Sequence, residues 1–421
     1  MTISPFLRPQ ASAGSPAHGP TRCRLGLAAC LMLQTACSDA SSSASSASEA
    51  TTPPAKADPT NAVPKDTRFT VQSIKTFDEP WAMTFVNDDT LLVTTQPGKM
   101  YRLHWPQSLI GAGASVAQPE IVEIGNVPDV VFEGQGGLGD VIAAPDFSDT
   151  GLIYLSWVEA DDKGLSGAVV AHARLVEEAG QAPRLADITR IWEQTPKVSG
   201  AGHFSHKLLL SEDGHLFITS GDRQKFDPAQ DMEKSLGKII RLRSDGSVPA
   251  DNPFSAQGEL ARQFWSIGHR NLLGIAQDAD GVLWTHEMGP KGGDELNRIE
   301  RGENYGWPIV SNGDHYSGEA IPDHPARPEF NAPELWWTPV ISPGSMIIYS
   351  GDRFPDWQGQ AIISGLSSEA LIRVTLEDKI AEVGRVDMGK RMREVEEGPD
   401  GAIWALEDGA NADLLRLLPK Q

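Results

Sequence analysis

The stretch Lys207–Asp222, "KLLLSEDGHLFITSGD", decides the fold. An apolar run, a polar turn ending in Asp213-Gly214 and a second apolar run make a hairpin, because Asp-Gly supplies the backbone freedom a tight reversal needs. A return strand, "GKIIRL", follows from Gly237. The same phrase recurs as "WAMTFVNDDTLLVTT" from Trp81, "LGDVIAAPDFSDTGLIYLSW" from Leu138 and "LLGIAQDADGVLWTHE" from Leu272. It appears again as "SMIIYSGDRFPDWQGQAIIS" from Ser345 and "REVEEGPDGAIWALED" from Arg393. The copies lie roughly 60 residues apart, more than four strands need, which leaves long loops for chemistry. Strand-and-turn repeats of this length stack radially, so six copies predict an all-β, six-bladed β-propeller with four-stranded antiparallel blades. The chemistry is expected in the long inserts 133–137, 197–207, 222–236, 286–314 and 334–345.

Composition agrees. The 421 residues include 41 Gly and 30 Pro, which favours short elements joined by turns. A net charge of −21 argues against a nucleic-acid partner, since phosphate binding needs a basic surface. All three cysteines, Cys23, Cys30 and Cys37, lie near the start, so no disulfide framework or cysteine-ligated metal is expected downstream. Arg22 and Arg24 precede the short apolar run "LGLAACLMLQTAC", the layout of a secretory signal. The ending Leu33-Gln34-Thr35-Ala36-Cys37 resembles a bacterial lipoprotein cleavage box, with Cys37 as the lipidated first residue of a periplasmic, membrane-anchored protein. Residues 1–36 are thus expected to be a signal peptide, and 37–66, rich in Ser, Ala and Pro, a flexible tether. The propeller is expected over 67–421.

Several inserts carry reactive residues. His203, in "SGAGHFSHKL", follows glycines that would allow a ligand to approach, and the strand after it ends in Gly221-Asp222-Arg223. A carboxylate beside an imidazole fixes its tautomer and raises its basicity, as a general base requires. "GHRN", Gly268–Asn271, puts Arg270 where the repeat predicts a position facing the channel, so the guanidinium calls for an anion or a polarised carbonyl. "GKRMREV" places Arg391 and Arg393 two residues apart on one strand face, where they repel unless an anion lies between them. Three convergent arginines in an acidic protein point to a small ligand with several carboxylates.

The loop "HEMGPKGGDELNRIERGENYGWP", His286–Pro308, is too broken by Gly and Pro for a helix and too polar for a buried strand. Calcium prefers hard oxygen ligands, carbonyls together with carboxylates. Gly289 and Pro290 can turn carbonyls inward, Glu295 offers a carboxylate, and Tyr305 a further carbonyl anchored by Gly306-Trp307-Pro308.

In this order "EGQGGLGDVIAAPDF", "GHF" before "GDR", "GHRN", "GPKGGDELNRIERGENYGWP" and "GKRMREV" resemble the soluble, six-bladed, PQQ-dependent glucose and aldose sugar dehydrogenases, over about Arg68 to Leu418. The resemblance implies oxidation of an aldose at C1, with PQQ and Ca2+ as cofactors and an electron acceptor it leaves unnamed. By it His203 is the base, oriented by Asp222, and Gln135 contacts cofactor or substrate. Arg270, aided by Asn271, polarises a PQQ carbonyl, and Arg391 and Arg393 hold PQQ carboxylates. Gly289 and Pro290 hold the calcium at PQQ, Glu295 and Tyr305 a second, structural calcium with Asp314 a further candidate, and Trp337 flanks the sugar. The chain departs from the family pattern at Ser367-Ser368, where a PQQ-contacting lysine is usual, at Gly202, acidic in some members, and at His206-Lys207. Lys207 is a candidate to replace the missing cation. Two other readings stay open: a calcium-dependent lactonase or esterase, and a non-catalytic, lipid-anchored propeller that binds a sugar or a partner protein.

Overall fold

The computed structural model describes residues 55–56 and 69–420. The signal segment with Cys37 lies outside the described residues, as does most of the segment 37–66. Six antiparallel sheets follow one another along the chain, each starting with its inner strand. These inner strands are Pro80–Asn87, Leu138–Ala143, Ser205–Leu210, Leu272–Gln277, Pro343–Ile348 and Met392–Glu397. Each touches the next, and the last touches the first, so they ring a central channel. This is the six-bladed propeller that the repeats predict.

The ring closes through a pairing the repeats do not announce. Phe69–Phe77 lies antiparallel to Ala412–Pro419 and becomes the outermost strand of the sixth blade. Hydrogen bonds between the two ends of the described chain thus fasten the circle and cover a sheet edge. A second addition falls inside the segment expected to be tether. Ala55–Lys56 pairs in parallel with Leu335 and Trp336 as a fifth strand on the fourth blade.

Burial follows blade position. The middle strand Ile403–Glu407 is buried throughout, whereas the outer strand Arg184–Glu193 alternates, because only middle strands are covered on both faces. Six main apolar clusters fill the six inter-blade contacts. One joins Leu91, Val93 and Trp105 of the first blade to Trp404 and Leu414 of the sixth. There the rings of Trp105 and Trp404 meet edge-on at 5.4 Å. Among the described residues no helix is long and apolar enough to cross a membrane.

The channel has two unlike ends. At the C-terminal ends of the inner strands all six line a cavity of about 490 Å3 containing Asp140, Lys207, Glu394 and Glu396. At the N-terminal ends a cavity of about 390 Å3 is lined by Trp81, Gln135, Ser205, Met288, Arg391 and Arg393, among others. Of the predicted site residues, Gln135, Arg391 and Arg393 line the second, whereas Lys207 lines the first.

Candidate active site

His203 and Asp222 meet because of hairpin register. Ser205 pairs with Ser220, and the two residues stand two positions beyond that pair, one on each strand extension. His203 Nδ1 lies 2.7 Å from Asp222 Oδ1. The other oxygen of Asp222 accepts the Trp307 indole N–H at 2.8 Å, so the fully buried carboxylate cannot rotate away. With Nδ1 committed, Nε2 is left without a partner among the described residues. Burial lowers the His203 pKa, Asp222 opposes this, and Arg270 and Arg223 add to the lowering. The ring is therefore neutral near pH 7 and able to accept a proton.

The backbone around the pair is strained. His203, Ser205, His206, Arg223, Gln224 and Phe226 all have positive φ. Such residues persist only where surrounding structure over-determines them, and they concentrate at functional sites. Gly134 explains part of the constraint. A Cβ there would sit 2.4 Å from the Ala201 carbonyl oxygen, so only glycine lets the 133–137 loop press against the segment before His203. That contact brings Gln135 Oε1 within 2.7 Å of the His203 amide, which donates to it. The face of Gly202 is not open to a ligand as expected; the Gln224 side chain covers it.

Arg270 and Asn271 precede the fourth inner strand. The Arg270 backbone N–H donates to Glu287 at 2.6 Å, and Nη1 donates to the Met288 carbonyl at 2.7 Å. Its guanidinium carbon lies 5.2 Å from the Trp307 ring centre. Arg270 Nε and Asn271 Nδ2 are buried donors with no acceptor among the described residues, and Asn271 Oδ1 is tied to the cavity-lining Ser205. Glu287, unmarked in the sequence, also accepts from His269 and Asn297 and so organises this corner.

Arg391 and Arg393 converge as expected, but the anion between them is protein. Asp408 Oδ2 accepts from Arg391 Nε at 2.7 Å and Oδ1 from Arg393 Nε at 2.8 Å. Burial would raise the Asp408 pKa, yet the two arginines outweigh it and hold the carboxylate below its ordinary value. Arg393 also lies over Trp81, 4.2 Å from the ring centre. Arg391 is half-exposed, so one edge of the pair stays open to the cavity.

The stretch 286–308 is not all loop: Asp294–Ile299 is a largely buried strand, against the expectation that the stretch is too polar for one, and Asp294 at its start serves as the anchor, accepting the N–H groups of Gly289, Ile341 and Ser342. Its pKa is pushed up to about 6 by burial. A Cβ on Gly289 would lie 2.3 Å from the carbonyl oxygens of Gly292 and Gly293, so the turn admits only glycine. Gly289 and Pro290 are buried, and their carbonyl oxygens accept no hydrogen bond from the described residues. Glu295 is buried, and burial followed by the charge of Glu287 raises its pKa. Glu287, Glu295, Gly289 and Tyr305 surround a void of about 10 Å3. Free carbonyls and two adjacent buried carboxylates suit a hard cation. Among the described residues no three metal-binding side chains cluster, so main-chain oxygens must supply much of any coordination. Asp314 is exposed and pairs with Lys291 through the backbone.

Trp337, Lys207 and His206 lie away from the arginine-lined cavity. Trp337 does not face the cavity: it is 2% exposed, packs between the fourth and fifth blades, and donates its indole N–H to Glu382 at 2.8 Å. Its place in an outer strand directs it away from the channel. Lys207 cannot stand in for a missing lysine, because Asp140 at 2.8 Å and Glu394 at 3.0 Å hold it at the far end. His206 is buried with Nδ1 2.8 Å from Ser156 Oγ, a packing role. Ser367 is exposed at the cavity edge, its hydroxyl donating to Ser342 at 2.8 Å. Sequence reasoning missed Asp408, Trp81, Glu287 and Asp294. Trp81 and Asp408 left a trace only as residues that open the first repeat and close the last.

Known proteins match this architecture. The family model for glucose / sorbosone dehydrogenase matches residues 77–416. The aldose sugar dehydrogenase YliI of Escherichia coli (strain K12) is 37% identical over 352 residues, covering 82% of this chain and 91% of that protein. The quinoprotein glucose dehydrogenase B of Acinetobacter calcoaceticus is 25% identical over 421 aligned positions, covering 80% of this chain and 84% of that one. The crystal structure of the soluble Escherichia coli aldose sugar dehydrogenase in the apo-form superposes with a TM-score of 0.74 at 34% identity, covering 84% of this chain and all of that one.

Proposed function

The chain belongs to the glucose / sorbosone dehydrogenase family, and we propose that it oxidises an aldose at C1 to the lactone, using PQQ and calcium. The observation that carries this reading is the neutral His203, fixed by Asp222 and set beside a cavity lined with arginines. Buried donors at Arg270 and Asn271 that find no acceptor among the described residues, together with Arg391 and Arg393, suit a ligand rich in carbonyls and carboxylates such as PQQ. The free carbonyls of Gly289 and Pro290 suit its calcium, and Glu295 with Tyr305 a second, structural one.

PQQ, when bound, supplies the acceptor for the two electrons and the hydrogen that leave C1. The protein's own work is to hold the sugar and take its proton. His203 Nε2 accepts the proton of the anomeric hydroxyl, and Asp222 stabilises the imidazolium that results. Gln135, tied to the His203 amide, presents its amide N–H2 at the cavity for a sugar or cofactor oxygen. Arg270, held by Met288 and Trp307, would stabilise charge on a carbonyl oxygen of the cofactor. Arg391 would grip a carboxylate by its open edge, with Arg393 beside it, while Asp408 keeps the spacing of the pair.

The lipoprotein-like segment ending at Cys37 supports a periplasmic, membrane-anchored location. Adding PQQ and calcium to the purified protein, with and without aldose and an artificial electron acceptor, tests the reading. The expected result is calcium-dependent binding of PQQ, followed by lactone formation. Failure to bind PQQ at millimolar calcium overturns it. Lactone hydrolysis with calcium alone would instead mark a lactonase, and sugar binding without turnover a binding module.

A further inference from the structure

Phe226 is placed where neither folding term favours phenylalanine. Its backbone sits at φ 64° and ψ −87°, a conformation that is strained for any residue with a side chain and most of all for a bulky one. The ring remains 41% exposed, so much of its apolar area stays in water. It stands beside the reacting groups, since its amide reaches toward Asp222 Oδ2, the oxygen that also accepts from Trp307. The ring centre lies 5.6 Å from that of Trp307, tilted by 31°, and 5.9 Å from His315. Trp307 in turn meets Arg270, so one aromatic unit runs from the proposed quinone partner to the open rim.

We propose that Phe226 is the stacking platform for the sugar ring, and that it selects aldopyranoses with an uninterrupted apolar face. The proposal rests on the dehydrogenase reading and deepens it. A pyranose has an apolar face where its C–H groups line up, and aromatic rings gather such faces while the hydroxyls stay solvated. With the anomeric hydroxyl at His203, a ring laid on Phe226 stands between the dyad and solvent. The axial hydrogen that leaves C1 of the β-anomer must face the quinone, so the aromatic ring lies on the other face, where an axial hydroxyl would be desolvated without a partner, and glucose should be favoured over its 4-epimer galactose.

Phe226→Gly separates this role from a structural one. Glycine accepts a positive φ without strain, so the variant should melt at the same temperature as the parent or higher. A phenylalanine kept for packing would instead lose stability on the same change. In the holoenzyme the KM for glucose should rise about three- to tenfold, with kcat within about twofold and the preference for glucose over galactose lost. Phe226→Tyr should restore both. Independently, in calcium-loaded protein without PQQ, glucose should alter tryptophan fluorescence in the parent and much less in Phe226→Gly. Unchanged KM and fluorescence response in Phe226→Gly, or a lowered melting temperature, overturns the platform while leaving the dehydrogenase reading intact. If the parent neither binds PQQ nor oxidises sugar, the parent reading fails. The fluorescence titration then decides alone: a glucose response lost in Phe226→Gly upholds the platform, and no response in the parent overturns it.

Discussion

Arg393 Nε donates to Asp408 Oδ1 at 2.8 Å, and this internal carboxylate stands where a ligand's carboxylate is expected. Arg391 shares the same acid through its other oxygen. Asp408 therefore relieves the repulsion between two neighbouring guanidinium groups, and it also competes for them.

Replacing it with Asn should expose that competition. PQQ should bind about tenfold more tightly or better, since a charge-assisted hydrogen bond contributes about 1.5–3 kcal/mol and each 1.4 kcal/mol is a factor of ten. The ligand-free protein should melt at a lower temperature, because the arginines lose their counterion. Spectrophotometric titration and a melting curve check the two signs. Weaker binding in Asp408→Asn would show that the acid aids the ligand's arginine grip instead of opposing it.

His203→Gln should lower kcat by about 10²–10⁴-fold, the range for a general base, with little loss of stability. His206→Gln should do the reverse, because that ring is buried and bonded to Ser156. The pair of variants is decisive only if activity and melting temperature are both measured.

The pH dependence follows from the sign of the His203 shift. Its folded-state pKa lies below the ordinary 6.5, because burial outweighs Asp222 and the neighbouring arginines assist. The neutral base is thus present at pH 7, and kcat/KM should fall on the acid side with an inflection below pH 6.5. The same group makes the unfolded chain bind more protons, so its contribution to stability is full above 6.5 and is lost as pH falls toward the folded value. An acid inflection above 6.5 in the parent would remove His203 from that limb.

Chelation should lower both the melting temperature and PQQ affinity, since free carbonyls at Gly289 and Pro290 adjoin the buried pair Glu287 and Glu295. Gly289→Ala should lose the calcium response, because the new Cβ would collide with the carbonyl oxygens of Gly292 and Gly293. A melting curve and PQQ titration unchanged by chelator would refute the metal assignment.

Ser367→Lys should strengthen PQQ binding about tenfold, toward the weaker end for a charged contact because the site is exposed. Ser367 adjoins Leu366 and bonds to Ser342, both of which line the cavity. Lys207, committed to Asp140 and Glu394, offers no compensation. A titration showing equal affinity for parent and variant would place the position outside the cofactor's reach.

The sequence by itself determined the repeat unit and the blade number. Both of these are local: a turn tetrad, an alternating run and a return strand are set within a few dozen residues. It also placed His203 and Asp222 on the two extensions of one hairpin, but a β-bulge between Ser205 and Leu208, which no local pattern announces, sets the register that pairs them. Partners joined across distant parts of the chain were decided only by the tertiary structure. Phe69–Phe77 closes the ring on Ala412–Pro419, a pairing that no local pattern encodes. Trp307 meets Asp222 across 85 positions, and Lys207 reaches Glu394 across 187. Trp337 reads in the sequence like any aromatic beside a site, and only its outer strand shows that it packs between blades. Residue type and spacing declare what chemistry a chain can offer. Which charge meets which counterion depends on how the blades bring remote loops to one end of the channel.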